Sequence, residues 1–308
     1  SDAPPLPVLR EAVLDPSAPL AKRMRSVFYL RTLGTEEAVD VLCEALKDKR
    51  NSSLMRHELA YVLGQIGSER AIPTLTAMLE AEDDDVMVRH ESAEAMGAIG
   101  AVGCLDVLAR FAGDDAPVEV GETCQLAMER IKWLQAKREG EIPDTDADHG
   151  TPFHSVDPAP SLGKLSVPEL RATLLDVSQP LFKRYRAMFA LRNLQTEGAV
   201  LALAEGLFDP SSALFRHEIA YVLGQLEHPA ATDALAKVLR DEREHCMVRH
   251  EAAEALGAIG TGDATEVLRS HAADASQVVR ESCEVALDVV DYWSSAAAGA
   301  GEAAVASA

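Results

Sequence analysis

The chain has 308 residues and a formal net charge of −21, from 50 acidic and 29 basic side chains. This charge argues against a protein that binds nucleic acid, because phosphates need a basic face, and the longest apolar runs are too short to cross a membrane. Aromatic residues make up 5% of the chain and hydrophobic residues 47%, a balance that favours helices over sheets.

Self-similar segments recur along the chain. Residues 56–67 read RHELAYVLGQIG, and residues 89–100, displaced by 33 positions, read RHESAEAMGAIG. Weaker copies begin at Arg23 and Gly121, which gives four units in the first half. Residues 216–226 and 249–260 repeat the two strong units 160 positions later, and weaker copies flank them in the same way. The sequence therefore predicts eight units in two nearly identical halves.

Each unit is expected to form two helices. In the second unit these cover residues 36–47 and 53–65, where apolar side chains recur at steps of three and four. Gly34, Gly67 and Gly100 are expected to end the second helices. Because a single helix pair cannot bury its apolar face, neighbouring pairs must stack. The predicted fold is all-α: an α-solenoid of eight HEAT-like helical hairpins in two pseudo-symmetric halves of four repeats.

The two halves are separated by a segment of different composition. Residues 137–164 are rich in proline, aspartate and glycine and have no helical period, which indicates a linker that lets one half face the other. We therefore expect an N-terminal half at 1–136, a linker at 137–164, a C-terminal half at 165–293, and a disordered, alanine-rich tail at 294–308.

Five cysteines occur without metal-binding spacing, and most fall within apolar helical stretches. They are expected to be free thiols, which are typical of a reducing compartment, and we expect a cytoplasmic protein. The first residues show no secretory signal pattern.

Four of the nine histidines are followed directly by glutamate, and all four pairs lie early in the second helix of a unit. The pairs are confined to the two central units of each half: His57-Glu58, His90-Glu91, His217-Glu218 and His250-Glu251. In the outer units the histidine position holds Met24, Gly121, Tyr185 or Arg280, so the fold does not require histidine there. A structural role would extend through all units, and the restriction to four of them indicates a functional site.

The arginine before each pair does not share this restriction. Arg23 and Arg184 occupy the same position in units without histidine, so we interpret the arginine as part of the scaffold. The other five histidines have no register with the repeat, and structural roles are expected for them: His149, His154, His228, His245 and His271.

The pairs have the composition of a metal site. Packed helices lie about 8–10 Å apart, so histidines on neighbouring helices can converge on one ion. Each half offers two imidazoles and up to two carboxylates, and two metals would share one cleft if the halves face each other. Nitrogen and oxygen ligands without thiolate suit iron, manganese or zinc. Tyr61 and Tyr221 lie one turn beyond the first histidine of each half, and are expected either to pack in the core or to line the cleft.

In these pairs, in their register within the repeat and in the duplication, the chain resembles the deoxyhypusine hydroxylase family. The resemblance covers most of the chain, from about Leu6 to Trp293. The resemblance implies a non-haem di-iron monooxygenase, an oxidoreductase that uses O2 and an external reductant. Its substrate would be the deoxyhypusine side chain, on a basic loop of eukaryotic translation initiation factor 5A, which becomes hypusine. A monomer that binds this protein partner, but no nucleic acid or membrane, is expected.

The resemblance also assigns roles to the site residues. It implies four histidine ligands to iron: His57, His90, His217 and His250. Glu91 and Glu251 would be carboxylate ligands, while Glu58 and Glu218 would either ligate iron or hold the amines of the substrate. Two other functions compete with this one. A non-catalytic HEAT-repeat scaffold that binds a protein would explain the solenoid but not the restricted pairs, and a di-zinc hydrolase could use the same ligands.

Overall fold

The computed structural model describes residues 4–142 and 151–305, and all regular structure in these ranges is helical. The first half contains α1 (Leu6–Leu14), α2 (Leu20–Leu33), α3 (Glu36–Lys47), α4 (Ser53–Ile66), α5 (Ile72–Glu80), α6 (Val86–Ile99), α7 (Leu105–Phe111) and α8 (Val118–Arg138). The second contains α9 (Val167–Leu175), α10 (Leu181–Leu194), α11 (Glu197–Gly206), α12 (Ala213–Leu226), α13 (Thr232–Arg240), α14 (Cys246–Ile259), α15 (Gly262–Ser270) and α16 (Gln277–Val305). The predicted all-helical solenoid is confirmed. None of these helices is long and apolar enough to span a membrane.

Helix ends follow the local sequence. The Ser52 hydroxyl accepts a hydrogen bond from the Met55 amide and so caps the start of α4. Gly34, Gly67 and Gly100 end the second helices with φ of +58° to +76°, a conformation that glycine adopts without strain. The predicted helix ends are therefore confirmed.

The second helix of each pair belongs to an inner layer. Consecutive helices contact in pairs, from α1 with α2 to α15 with α16, and the inner helices stack in order within each half. The layer closes on itself, because α16 contacts α2 and α4 while α8 contacts α10 and α12. The helices that carry the His-Glu pairs, α4, α6, α12 and α14, therefore surround a common centre.

Buried arginines tie the inner layer to the outer one. Arg56 Nε donates to the carbonyl oxygen of Leu46, ten residues earlier, at 3.0 Å, and Arg89, Arg184 and Arg249 bond the same way at 2.9–3.1 Å. These carbonyls lie at the ends of the outer helices, where no intrahelical donor remains. The scaffold role predicted for the arginine is confirmed at these positions.

Part of the segment between the halves is built into the fold. Residues 143–150 lie outside the described ranges. Beyond them, the Gln65 side chain bonds both backbone groups of Val156, at 2.8 and 3.1 Å. The Asp157 carboxylate pairs with Arg192 of the second half, and its carbonyl accepts from Arg130 of the first, at 2.7 Å. This stretch therefore connects both halves. At the other end, α16 continues to Val305 through most of the alanine-rich segment, since alanine is a strong helix former.

Candidate metal centre

The structure brings the four histidines of the His-Glu pairs together. Ring centroids lie 5.4 Å apart for His57 and His90, and 5.3 Å apart for His217 and His250. Contacts between the halves are equally close, at 5.1 Å from His57 to His250 and 5.5 Å from His90 to His217. All four side chains are buried. One cluster, with two imidazoles from each half, therefore lies at the centre of the inner layer.

Most of the ring nitrogens in this cluster have no hydrogen-bond partner. Within the described ranges, they include both nitrogens of His90 and His217 and Nε2 of His250. A buried polar atom without a partner is unfavourable by about 1–3 kcal/mol. Several such nitrogens converging in one place fit a metal centre, in which lone pairs bond to an ion instead.

The second glutamate of each half lies beside these nitrogens. Glu91 Oε2 is 3.1 Å from His57 Nε2, while Glu251 Oε2 is 3.4 Å from His217 Nε2 and 3.9 Å from His250 Nε2. Three sets have possible ligand atoms within 4.8 Å of one another: His57, His90 and Glu91; His57, His217 and His250; and His250, Glu251 and Glu254. Imidazole nitrogen with carboxylate oxygen suits iron, manganese or zinc.

The first glutamate of each half faces a cavity of about 510 Å³ that borders the cluster. Glu58 Oε1 accepts a hydrogen bond from His57 Nδ1 at 3.1 Å. Glu218 Oε1 is buried and has no hydrogen-bond partner in the part of the chain that the structure describes. Both residues thus line the cavity beside the candidate metal ligands.

Tyr61 and Tyr221 line the same cavity and join the two halves, with their hydroxyl oxygens 2.8 Å apart. Gln225 donates from Nε2 to the Tyr221 hydroxyl at 3.0 Å, and its Oε1 accepts from Arg192 at 2.8 Å. Because arginine can only donate, this contact fixes the orientation of the Gln225 amide. Both tyrosines also pack partly against the cores of their halves, so core packing and cavity lining coexist.

Three further glutamates line the cavity, and sequence reasoning missed them: Glu94, Glu227 and Glu254. Glu94 and Glu254 lie four residues after His90 and His250, in the repeat position that Tyr61 and Tyr221 occupy in the preceding units. The signal was present, because this position changes from tyrosine to glutamate in the same order in both halves.

A second missed signal is the glycine seven residues after each paired histidine: Gly64, Gly97, Gly224 and Gly257. The outer units have no glycine there. A Cβ at any of the four would lie 3.1 Å or less from an atom of the next inner helix. Gly64 and Gly224 allow the close approach of the helices that carry the histidines, and Gly97 and Gly257 allow α8 and α16 to pack against them.

The five histidines outside the His-Glu pairs have different surroundings. The side chains of His228 and His245 accept from backbone amides at helix starts, and His271 contacts the Val267 carbonyl, as expected for structural roles. His154 differs because it lines the cavity, on the segment between the halves. His149 lies outside the described residues.

Electrostatics separates the histidines into two kinds. Burial and repulsion from neighbouring rings lower the pKa of three of them: His90, His217 and His250, the last to about 3. Burial also lowers the pKa of His57, but Glu91 and Glu58 outweigh it and raise that pKa well above 6.5. Neutral imidazole is the form that ligates a metal, and three of the four rings are held in it.

Comparison with known proteins agrees with the fold and the residue pattern. The family model for HEAT repeats matches residues 6–87, 52–129 and 200–288, and that for the PBS lyase HEAT-like repeat matches residues 183–209. A deoxyhypusine hydroxylase of Xenopus laevis is 51% identical over 93% of this chain and 91% of its own length. That of Homo sapiens is 50% identical over 92% of this chain and 90% of its own.

A solved structure of human deoxyhypusine hydroxylase in complex with glycerol has a TM-score of 0.86 to this chain. It is 49% identical and covers 93% of this chain and 96% of its own. The chain therefore belongs to the deoxyhypusine hydroxylase family, whose members are enzymes.

Proposed function

We propose that this chain hydroxylates the deoxyhypusine side chain of translation initiation factor 5A, using two iron ions, O2 and an external reductant. The observation that carries the proposal is the buried cluster of four histidines from two halves, with ring nitrogens that lack partners. Neither a protein-binding scaffold nor a small-molecule binder needs this arrangement. Membership of the deoxyhypusine hydroxylase family supports hydroxylation as the reaction of the site.

Each half would hold one ion. His57, His90 and Glu91 are the ligands proposed for the first, and His217, His250 and Glu251 for the second. When bound, iron supplies the redox chemistry that activates O2. In the balanced reaction one C–H becomes C–OH, while two electrons and two protons reduce the second oxygen atom to water.

The first glutamates are proposed to serve the substrate, although they remain possible ligands. A deoxyhypusine side chain carries two amines that are cationic at neutral pH. Glu58 and Glu218 face the cavity, and Glu218 Oε1 has no hydrogen-bond partner among the described residues. Ammonium groups would donate to these carboxylates in charge-assisted hydrogen bonds, which would hold the methylene chain between them. Tyr61 and Tyr221, beside these carboxylates, would line the path of the chain.

We also propose a cytoplasmic monomer with halves at 1–136 and 165–293. Cys43, Cys104, Cys124 and Cys283 are buried free thiols, and Cys246 is a partly buried one. Free thiols are typical of a reducing compartment. A basic loop on the protein partner would complement the charge of −21, which favours rapid association at low ionic strength.

Mass spectrometry of a deoxyhypusine-bearing factor tests the activity. Incubation with iron-loaded protein and reductant should add one oxygen atom, and an unchanged mass would refute the proposal. Metal analysis should find iron, whereas bound zinc would favour a hydrolase and the absence of metal a scaffold.

Variants test the residue assignments. His57→Ala should lose metal, whereas Glu58→Ala should keep metal and bind the substrate more weakly. His271→Ala, outside the cavity, is the control and should behave as the unmodified protein does. Full metal occupancy in His57→Ala would contradict the ligand assignment.

A further inference from the structure

We propose that Phe28 and Arg31 dock a loop segment of the protein substrate next to its modified residue. Both side chains lie on α2 of the first half and line the edge of the cavity, and we call this pair the open rim. The inference rests on the proposed function and deepens it, because it assigns the partner a surface outside the metal centre.

The two halves differ in how this surface is covered. Phe189 and Arg192, on α10, occupy the repeat positions of Phe28 and Arg31, so both halves carry the same two residue types there. Phe189 and Arg192 are both 0% exposed, whereas Phe28 is 40% exposed. The same pair is therefore buried in one half and open to solvent in the other.

The chain's own segment at 151–157, which has no regular structure, covers the arginine in the second half. The Phe153 ring lies against the Arg192 guanidinium, with Cζ 4.5 Å from the ring centroid. The Asp157 carboxylate accepts two hydrogen bonds from Arg192, at 2.6 and 2.8 Å. One loop that supplies a flat side chain and an oxygen acceptor thus completes this surface.

The open rim has no such cover among the residues that the structure describes. The Arg31 guanidinium lies over the Tyr61 ring at 5.9 Å and makes no ion pair with any described residue. Phe28 borders the cavity and is a large exposed apolar side chain. Aromatic and arginine side chains are enriched in protein interfaces, so the open rim has the composition of a surface that a partner completes.

The position of the open rim identifies the partner. A modified side chain that enters the cavity remains attached to its own backbone outside, so the residues beside it must pass over the rim. The covered pair in the second half indicates what those residues present. We expect an apolar or flat side chain against Phe28 and an oxygen, from a carboxylate or a backbone carbonyl, at Arg31.

Steady-state hydroxylation of the deoxyhypusine-bearing factor, followed by mass spectrometry, measures the contact. Phe28→Ala and Arg31→Gln should each raise KM about tenfold, with the effect in KM rather than kcat because binding alone is lost. Iron content should stay that of the unmodified protein. Tyr29→Ala is the matched control, since Tyr29 is 38% exposed on the same helix but does not line the cavity, and its KM should not change.

Charge reversal tests what faces Arg31. Arg31→Glu should raise KM further than Arg31→Gln, because a carboxylate repels an oxygen acceptor. If the substrate instead placed a cation there, Arg31→Glu would lower KM, and the inference would be wrong.

Other occupants of the open rim give different results. If Phe28→Ala lowered the free energy of unfolding without raising KM, the rim would belong to a segment of this chain. If it converted a dimer into a monomer in sedimentation velocity without raising KM, the rim would bind a second copy. Either result would overturn the inference.

The outcomes also separate this inference from the proposed function. Unchanged KM in both Phe28→Ala and Arg31→Gln, with hydroxylation intact, would overturn the docking surface alone. If the unmodified chain did not hydroxylate the factor, the proposed function would fail, and this inference with it.

Discussion

Replacing Gly64 with alanine should push α4 away from α6 and weaken the metal centre. A Cβ at Gly64 would lie 2.7 Å from Cα of Ala95 and 3.0 Å from its Cβ, whereas ordinary van der Waals contact begins at 3.4 Å. The nearest atom belongs to the backbone, so no flexible side chain can move aside. The helices must therefore separate by about 0.7 Å, the difference between 2.7 and 3.4 Å.

This separation should affect both stability and metal binding. Overpacking costs about 1–3 kcal/mol, and alanine is better than glycine inside a helix by about 0.5–1 kcal/mol. With the middle of each range, the net loss in the free energy of unfolding should be about 1 kcal/mol. The same movement would separate His57 from His90, whose rings are 5.4 Å apart, and a displacement of about 1 Å at a reaction centre can reduce the rate about 100-fold.

Urea unfolding and iron analysis measure the two effects, and two other glycines provide controls. Gly224→Ala meets its nearest atom at 3.1 Å and should have a smaller effect. Gly198→Ala, in α11, meets nothing within 4 Å and should be neutral or stabilising. If Gly64→Ala were as stable as Gly198→Ala and bound iron as the unmodified chain does, the close-approach explanation would be wrong.

Three further predictions concern the scaffold and the contact between the halves. Arg56→Ala should reduce the free energy of unfolding, measured by urea titration, by about 3 kcal/mol, because it leaves the buried Asp84 carboxylate without its ion-pair partner. Arg50→Ala breaks an ion pair on the surface and should have a much smaller effect in the same measurement. Hydrogen bonds from Arg56 lower the pKa of Asp84 below its ordinary value of 3.8. The stabilisation of the folded state by the Arg56–Asp84 pair is therefore fully present above pH 3.8, and it is lost as the pH falls through the lower pKa of the folded state. The stability difference between the unmodified chain and Arg56→Ala should therefore shrink in acid, and a constant difference would contradict the assignment. Tyr221→Phe removes the 2.8 Å contact with Tyr61 and should reduce stability by about 1 kcal/mol, measured by thermal unfolding; an unchanged midpoint would show that this contact does not stabilise the closed arrangement.

The sequence was most informative where the repeat supplied its own comparison. The second helix of a unit could be predicted at residues 53–65, and it covers Ser53–Ile66, because caps and apolar spacing are local properties. The comparison of units also separated Arg56 from His57 correctly. Arg56 bonds an outer-helix carbonyl, as its counterparts without a neighbouring histidine would suggest, while His57 turns towards the other half.

The features that sequence reasoning did not find depend on contacts distant in the chain. Residues 151–164 have no periodicity, yet Asp157 lies between Arg130 and Arg192 because the segment must pass between two closed halves. Its neighbour His154 thereby reaches the cavity. Glu94 could have been recognised from the repeat, since it replaces the tyrosine of the preceding unit. The restriction of histidine to some units indicated the site, and the change from tyrosine to glutamate four residues later would have indicated it equally well.

The charge of the cavity links its metal ions to its substrate. Arg31 and seven glutamates line it, and the glutamates are Glu58, Glu91, Glu94, Glu218, Glu227, Glu251 and Glu254. Burial is the main cause that raises the pKa of five of them, and it raises that of Glu254 to about 7. Without cations burial therefore favours the protonated forms of these five groups, and the raised pKa of His57 favours its protonated form as well. Divalent ions and ammonium groups would displace these protons on binding, so affinity for both should fall as the pH falls. Two divalent ions and Arg31 can balance only five of the seven carboxylates, which leaves a site suited to a further cation with two amines.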